Sequence, residues 1–111
     1  MQFEDAAAKA IAFRDERDWE QFHNPKDLAI SISLEAAELL EAFQWSGTDL
    51  VAENKHAHIA EELADVTIYC IYLANAIGVD LADAVSAKID ANAQKYPVDK
   101  SRGSSKKYTE L

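Results

Sequence analysis

The chain has 111 residues, enough for one domain and too few for two of ordinary size. Its composition, 49% hydrophobic and 28% charged, is that of a globular protein. The net charge of −9 argues against binding to a polyanion such as duplex DNA, and the single cysteine excludes both an internal disulfide and a cysteine-based zinc site.

Charge is distributed unevenly along the chain. The segment Gln94–Leu111 contains five basic and two acidic residues, whereas the remainder is strongly acidic. An acidic body that can hold cations, followed by a basic tail over 97–111, suits binding of a small metal-bound polyphosphate. The alternative interpretation is that the tail is a solvated, flexible end. The sequence shows no signal-peptide pattern and no run of about 18 apolar residues, so we expect a cytoplasmic protein without a membrane span.

Four helices are predicted, and no useful strand-like alternation is present. They run over Glu4–Asp18, Pro25–Trp45, Asn54–Ala76 and from Asp80 to Tyr96. Asn24 and Asp80 are suitable N-caps, while Gly78 and Pro97 end the third and fourth helices. The tail from Val98 is expected to be irregular. The sequence therefore predicts an all-α protein, a four-helix bundle spanning residues 1–111 with a core completed by oligomerisation.

Two acidic pairs are the most informative feature of the sequence. Glu35 and Glu38 lie three residues apart on the second predicted helix, and Glu62 and Asp65 do so on the third. A spacing of three places both members of a pair on one helical face. If the helices pack together, four carboxylates meet, and their repulsion and lost hydration favour a bound hard cation such as Mg²⁺. The pattern predicts metal-assisted chemistry on a phosphorylated substrate, although exposed Glu pairs without a ligand are also common.

Aromatic residues accompany both acidic pairs. Trp45 follows the first pair on its predicted helical strip, and Tyr69 follows the second pair one turn later. These two residues, together with Trp19 and Phe22, are candidates for stacking on a planar base. Packing in the core or in an oligomer interface is the alternative interpretation.

Several common site patterns are absent from the chain. Neither acidic motif has a His at its fourth position, which disfavours a di-iron site. The glycine-rich phosphate loops and the serine nucleophile motif are also missing. Four basic residues near the C-terminus can neutralise phosphates instead: Lys95, Lys100, Lys106 and Lys107.

Taken together, these segments resemble the MazG-like family of all-α nucleoside triphosphate pyrophosphohydrolases, and within it the dCTP pyrophosphatase-like branch. The family signature is E-x-x-E, a spacer, and E-x-x-D, which here reads Glu35–Glu38, 23 residues and Glu62–Asp65. The likeness covers nearly the whole chain. Its other matching segments are Arg17–His23, Phe43–Trp45, Glu61–Val66, Asn92–Pro97 and the closing K-Y-T-E-L. Some relatives use a His in the first helix to bind the base. The alanine-rich first helix of this chain has no His and departs from that pattern.

The resemblance implies a homo-oligomeric helical bundle, a dimer or a dimer-of-dimers tetramer, with its active site near a subunit interface. It implies that Mg²⁺, with Mn²⁺ as an alternative, is held by four catalytic carboxylates: Glu35, Glu38, Glu62 and Asp65. It further implies substrate contacts from Trp19, Phe22, His23, Trp45, Tyr69, Asn92 and Lys95.

The expected activity is hydrolysis of a (d)NTP to the monophosphate and pyrophosphate, with water attacking the α-phosphorus and Glu38 accepting its proton. The expected substrate is dCTP or a modified dCTP, and the expected role is removal of unwanted nucleotides from the pool. The expected partner is thus a small nucleotide, not a nucleic-acid polymer or a membrane. Two alternatives remain: a pyrophosphatase for dUTP or oxidised purine nucleotides, and a non-catalytic helical interaction module.

Overall fold

The computed structural model describes residues 1–111, and its regular elements are all helical. The chain divides into two units, Met1–Gly78 and Val79–Leu111. The first contains α1 (Phe3–Glu16), α2 (Pro25–Glu41), α3 (His56–Ala76) and two 3₁₀ turns, Glu20–Phe22 and Glu53–Lys55. The second contains α4 (Leu81–Lys95), α5 (Val98–Ser101) and a 3₁₀ turn at Tyr108–Glu110. The all-α prediction is therefore confirmed.

The starts of two helices follow from their capping residues. The side chain of Asn24 accepts a hydrogen bond from the backbone N–H of Asp27 at 2.9 Å, and Pro25 occupies the first helical position of α2. The side chain of Asp80 accepts in the same way from Asp83 at 3.0 Å and starts α4. Both predicted starts are confirmed because each cap satisfies a backbone donor that has no partner within its helix.

The predicted end of the second helix is wrong. α2 ends at Glu41, and the next residues form tighter turns in which each N–H bonds to the carbonyl three residues earlier. Trp45 then has φ +68°, a left-handed conformation that no helix accommodates. Trp45 is consequently not on the strip of α2 that carries Glu35 and Glu38.

Three further features differ from the sequence prediction. α1 ends at Glu16 and not at Asp18, because Asp18 has φ +54°, which a right-handed helix does not contain. α3 begins at His56, two residues later than expected, because Glu53–Lys55 forms a 3₁₀ turn. The tail is not wholly irregular, since it contains α5 and a final 3₁₀ turn. Within the second unit, the ammonium group of Lys95 lies 4.9 Å from the ring centroid of Tyr108, and the rings of Tyr96 and Tyr108 meet edge to face at 5.9 Å. These contacts attach the end of the chain to α4.

The core of the first unit forms where α3 packs against α1 and α2. Leu28 of α2 is 1% exposed, and α3 contributes Ile71, Tyr72 and Ala74 to the buried set. The apolar residues of α3 recur at spacings of three and four, which predicts one buried stripe: Ile59, Leu63, Val66, Cys70, Leu73 and Ile77. Leu63 is instead 56% exposed and Ile77 is 54% exposed, while Cys70 is half-buried and free. α3 contacts both α1 and α2, so its buried residues do not follow the single stripe of a helix with one neighbour. The corresponding stripe of α2, Leu28, Ile32, Ala36, Leu39 and Phe43, buries Leu28 but leaves Ala36 exposed.

No single helix is both long enough and apolar enough to cross a membrane. The pair Glu53–Ala76 and Leu81–Lys95 meets the criteria of length and composition only when counted together, and ordinary core helices meet them too.

Candidate metal centre

The acidic pairs of α2 and α3 meet in the first unit. One carboxylate oxygen from each of Glu35, Glu62 and Asp65 lies within 4.8 Å of the others. Glu38 lies close to the same group, because its negative charge raises the pKa of both Glu35 and Glu62. We call these four residues the carboxylate cluster. The structure thus brings together all four acids that the sequence singled out, two from each helix.

The electrostatics of the cluster are unfavourable in the absence of a cation. Burial raises the pKa of Glu35 to about 7, with further contributions from the hydrogen bond to Glu38 and from the neighbouring negative charges. Burial also raises the pKa of Glu62, followed by the charge of Glu38. His58 acts in the opposite direction on Glu62, since its Nε2 lies 3.9 Å from Glu62 Oε1. Half-exposed His58 is the nearest basic side chain paired with the cluster.

Two carboxylate oxygens in the cluster have no hydrogen-bond partner. Oε2 of Glu35 and Oε2 of Glu62 are both buried and unpaired. A buried charged oxygen without a partner is costly, because it has lost its water without gaining a donor. An all-oxygen donor set of this kind fits a hard divalent cation, which would satisfy both atoms at once. The carboxylate cluster is therefore a candidate site for a divalent metal.

Aromatic side chains surround one side of the carboxylate cluster. Burial raises the pKa of Tyr69, and the charges of Glu35, Asp65 and Glu38 raise it further, which places its hydroxyl in their field. The ring of His23 lies 6.5 Å from that of Tyr69 and 5.0 Å from that of Tyr72. The Nδ1 atom of His23 is buried without a partner.

An apolar groove of about 810 Å³ runs between α1 and α3 and adjoins the cluster. It shares Asp65 and Tyr69 with the cluster region, and α1 contributes Ala10 and Phe13 to its wall. Trp19 also lines it and meets the Phe13 ring edge to face at 5.7 Å. This volume is in the range of small-molecule sites. A planar apolar group bound in this groove would lie beside the candidate cation site.

The structure does not bring every predicted contact residue to this groove. Trp45 is 92% exposed, and Phe22 is 64% exposed. Neither of them lines the groove. Asn92 and Lys95 belong to the second unit.

Sequence reasoning missed two residues of α1. Phe13 lines the groove, and Arg14 is almost completely buried. Phe3, Ala6, Ala10 and Phe13 recur at helical spacing, and that signal could have identified the wall of the groove. Arg14 does follow Phe3, Ala7, Ala10 and Ile11 at spacings of three and four, but that spacing alone does not show that a charged side chain is buried.

Fold and site together define an all-helical protein with a carboxylate cluster suited to a divalent metal beside an apolar groove. The MazG-like family model matches residues 30–111. The dCTP pyrophosphatase 1 of Mus musculus is 45% identical and that of Homo sapiens 43%, in each case over 97% of this chain. The chain spans 66% of the length of these two curated relatives. A crystal structure of a pyrophosphatase from Archaeoglobus fulgidus superposes with a TM-score of 0.78 at 40% identity, covering 86% of this chain and 92% of the other. The chain belongs to the MazG-like family.

The pKa of Glu35 predicts that the metal-free protein becomes less stable as the pH rises from about 5 to about 8. The unfolded chain releases this proton near pH 4.5, whereas the folded protein keeps it to about pH 7. The folded state therefore binds more protons in this window, and its stability falls as the pH rises. Urea unfolding in EDTA across this range should show a smaller decline for Glu35→Gln than for the unsubstituted protein. Glu41→Gln, which changes an exposed acid on the same helix, should keep the full decline; identical slopes for all three proteins would contradict the prediction.

Proposed function

We propose that this protein is a Mg²⁺-dependent nucleotide pyrophosphatase that converts dCTP or a 5-modified dCTP to the monophosphate and pyrophosphate. The observation that carries the proposal is the shared boundary of two sites: Asp65 and Tyr69 belong both to the surroundings of the carboxylate cluster and to the apolar groove. A nucleoside triphosphate has the matching halves, a planar base and a polyphosphate that travels with a cation. The names of the two relatives, which are 43–45% identical to this chain over 113 aligned residues, support the assignment to dCTP.

The carboxylate cluster is the proposed holder of the metal. Glu35, Glu62 and Asp65 would supply oxygen ligands, and Mn²⁺ is the alternative ion. When bound, Mg²⁺ neutralises negative charge on the triphosphate and assists departure of pyrophosphate. Glu38 is solvent-exposed and its charge acts on two of the other acids, so it is the proposed acceptor for the proton of the attacking water.

The apolar groove is the proposed place of the base. Trp19 and Tyr69 supply aromatic faces, and His23 packs against Tyr69 at the edge of the cluster. Two hydroxyls of the groove already have partners, since Thr67 donates to the Leu63 carbonyl and Tyr72 donates to the Ala10 carbonyl. Few polar groups remain free to read a base, so stacking and shape supply most of the selection.

Three contacts of the substrate rest on the family resemblance. Asn92 and Lys95 are proposed to approach the phosphates, where an ammonium group can neutralise charge. Phe22 is proposed to act with the Trp19–His23 segment. The proposed physiological setting is the cytoplasmic nucleotide pool, from which the enzyme removes unwanted nucleotides.

A second copy of the chain is the proposed protein partner, giving a dimer or a dimer-of-dimers tetramer. Large apolar side chains are exposed along α2 and the segment after it, including Leu34, Leu40, Trp45, Leu50 and Val51. Patches of this kind commonly mark protein interfaces. Trp45 is 92% exposed in a single chain, so a role in substrate binding would require that it reach a site completed by another copy.

Sedimentation velocity at several concentrations tests the assembly. The expected mass is that of two or four chains, and Leu40→Gln should shift the distribution towards the monomer because it places a polar amide in the apolar patch. Glu41→Gln, at the next position, which is also exposed, is the control and should leave the mass unchanged. A monomer at every concentration would overturn the proposed partner.

Product analysis tests the activity directly. The purified protein is incubated in H₂¹⁸O with Mg²⁺ and dCTP, 5-methyl-dCTP, dUTP or an oxidised purine triphosphate, with EDTA as the control. We expect monophosphate and pyrophosphate, with ¹⁸O in the monophosphate, because attack at the α-phosphorus leaves the new oxygen there. Asp65→Asn and Glu38→Gln should each lose about 100-fold or more in kcat, whereas Glu61→Gln, an exposed acid beside Glu62, should retain activity.

Each other outcome of this assay has a defined meaning. Diphosphate and phosphate as products would show cleavage of the wrong bond and refute the proposal. Turnover confined to dUTP or to the oxidised purine would replace the substrate and keep the reaction. No turnover on any nucleotide would favour the interaction module.

A further inference from the structure

Arg14, near the C-terminal end of α1, is the one buried charged residue of the protein, with 3% of its surface exposed. The carboxylate cluster does not involve it, and the proposed reaction assigns it no role. A buried guanidinium is costly unless its donors are paired, so its partners indicate what it does.

The guanidinium of Arg14 joins three parts of the first unit. Its Nη1 donates to Oδ1 of Asn75 on α3 at 2.8 Å, which connects residues 61 positions apart. Its Nε and Nη2 contact Oδ1 of Asp15 at 2.9 and 2.8 Å. Its Nη2 also lies 3.6 Å from the carboxylate of Glu20, in the 3₁₀ turn that follows α1. A planar group with five donors can make these contacts simultaneously, which a lysine cannot.

The main chain of Arg14 fixes the same turn. Its carbonyl oxygen accepts hydrogen bonds from the backbone N–H groups of Arg17, at 3.2 Å, and Trp19, at 3.1 Å. Asp18, between them, has φ +54°, a conformation uncommon outside glycine. The side-chain amide of Gln21 donates to the Asp18 carbonyl at 2.9 Å and so supports this bend.

The segment that Arg14 holds carries Trp19 and His23 at its two ends. Trp19 begins the turn and lines the apolar groove. His23 ends it and packs at 5.0 Å on the ring of Tyr72, and the Arg14 guanidinium carbon lies 5.9 Å from that same ring. Arg14 therefore touches both the turn and the α3 surface against which the turn rests.

From these contacts we infer that Arg14 is a positioning residue, which fixes Trp19 and His23 against α3 so that the groove is shaped for a base before the nucleotide arrives. The expected effect on nucleotide KM rests on the proposed function. The expected effect on the order of the turn rests on the geometry alone. Preorganisation of this kind lowers the cost of ordering the turn on binding, so its loss weakens binding more than chemistry.

The structural consequence is measured without any substrate. In a Trp45→Phe background Trp19 is the only tryptophan, because the chain has two. We expect Arg14→Gln to increase acrylamide quenching of Trp19 about twofold or more and Arg14→Lys to have a smaller effect. Two controls should leave quenching unchanged: Glu4→Gln, an exposed acid in the first turn of α1, and Ala42→Gly, which loosens the core just after the far end of α2. Equal quenching in Arg14→Gln and in the controls would overturn the inference.

The kinetic consequence is measured with Trp45 intact. Arg14→Gln should raise KM for the preferred nucleotide about tenfold while kcat changes less than about threefold, and Arg14→Lys should recover part of the loss. For the abasic substrate 2-deoxyribose 5-triphosphate, KM should be the same in both variants and in the unsubstituted protein. Equal losses with the nucleotide and the abasic substrate, or a fall in kcat alone, would show a general structural role and overturn the inference. If the unsubstituted protein hydrolyses no nucleotide, the proposed function fails, while the quenching experiment still decides whether Arg14 positions the turn.

Discussion

Packing of α2 against α3 brings the carboxylates of the two helices close together, and their mutual repulsion opposes that packing. Glu35 and Glu62 each bury an oxygen that no protein group satisfies, and no lysine or arginine pairs with the cluster. The pKa of Glu35, raised to about 7, measures how poorly the folded protein alone supports that charge. A divalent cation bound at this candidate site would supply the missing positive charge, which would couple metal binding to the packing of α2 on α3.

The buried positive charge of Arg14, unlike the buried carboxylate oxygens, is paired within the protein. Arg14 finds its partners inside the same unit, in Asn75, Asp15 and Glu20. A buried charge with partners fixes the elements that provide them, whereas a buried charge without partners favours a ligand. In the first unit the partnered charge of Arg14 connects α1, α3 and the turn at Glu20–Phe22, whereas the unpartnered carboxylates form the candidate metal centre.

The sequence predicted those features of the site that follow from helical periodicity. A spacing of three residues placed Glu35 with Glu38 and Glu62 with Asp65, and the structure brings the two pairs together. The caps at Asn24 and Asp80 were also predictable, because an N-cap depends on residues close in sequence. Family resemblance added a reaction and a set of contact residues that periodicity cannot provide.

The sequence failed where structure depends on distant contacts or on an uncommon backbone conformation. Trp45 was predicted to share a helical strip with the acids of α2, but α2 ends at Glu41 and Trp45 has a left-handed backbone conformation. Nothing about a tryptophan in the sequence indicates such a conformation. Leu63 looked like a core residue because its periodicity matches one buried stripe, yet α3 packs on two faces and leaves it exposed at the groove. Arg14 is buried through a partner 61 residues away, a pairing that one sequence does not show.

We expect the carboxylate cluster to take up a divalent cation, which would relieve the repulsion among its charges. Calorimetric titration of the protein with Mn²⁺ at pH 7, in two buffers of different ionisation enthalpy, measures both the ions bound and the protons released. Binding should release protons, should be lost in Glu62→Gln, and should be unchanged in Glu61→Gln, which removes an exposed charge at the neighbouring position. No binding, or binding that Glu62→Gln leaves intact, would contradict this expectation.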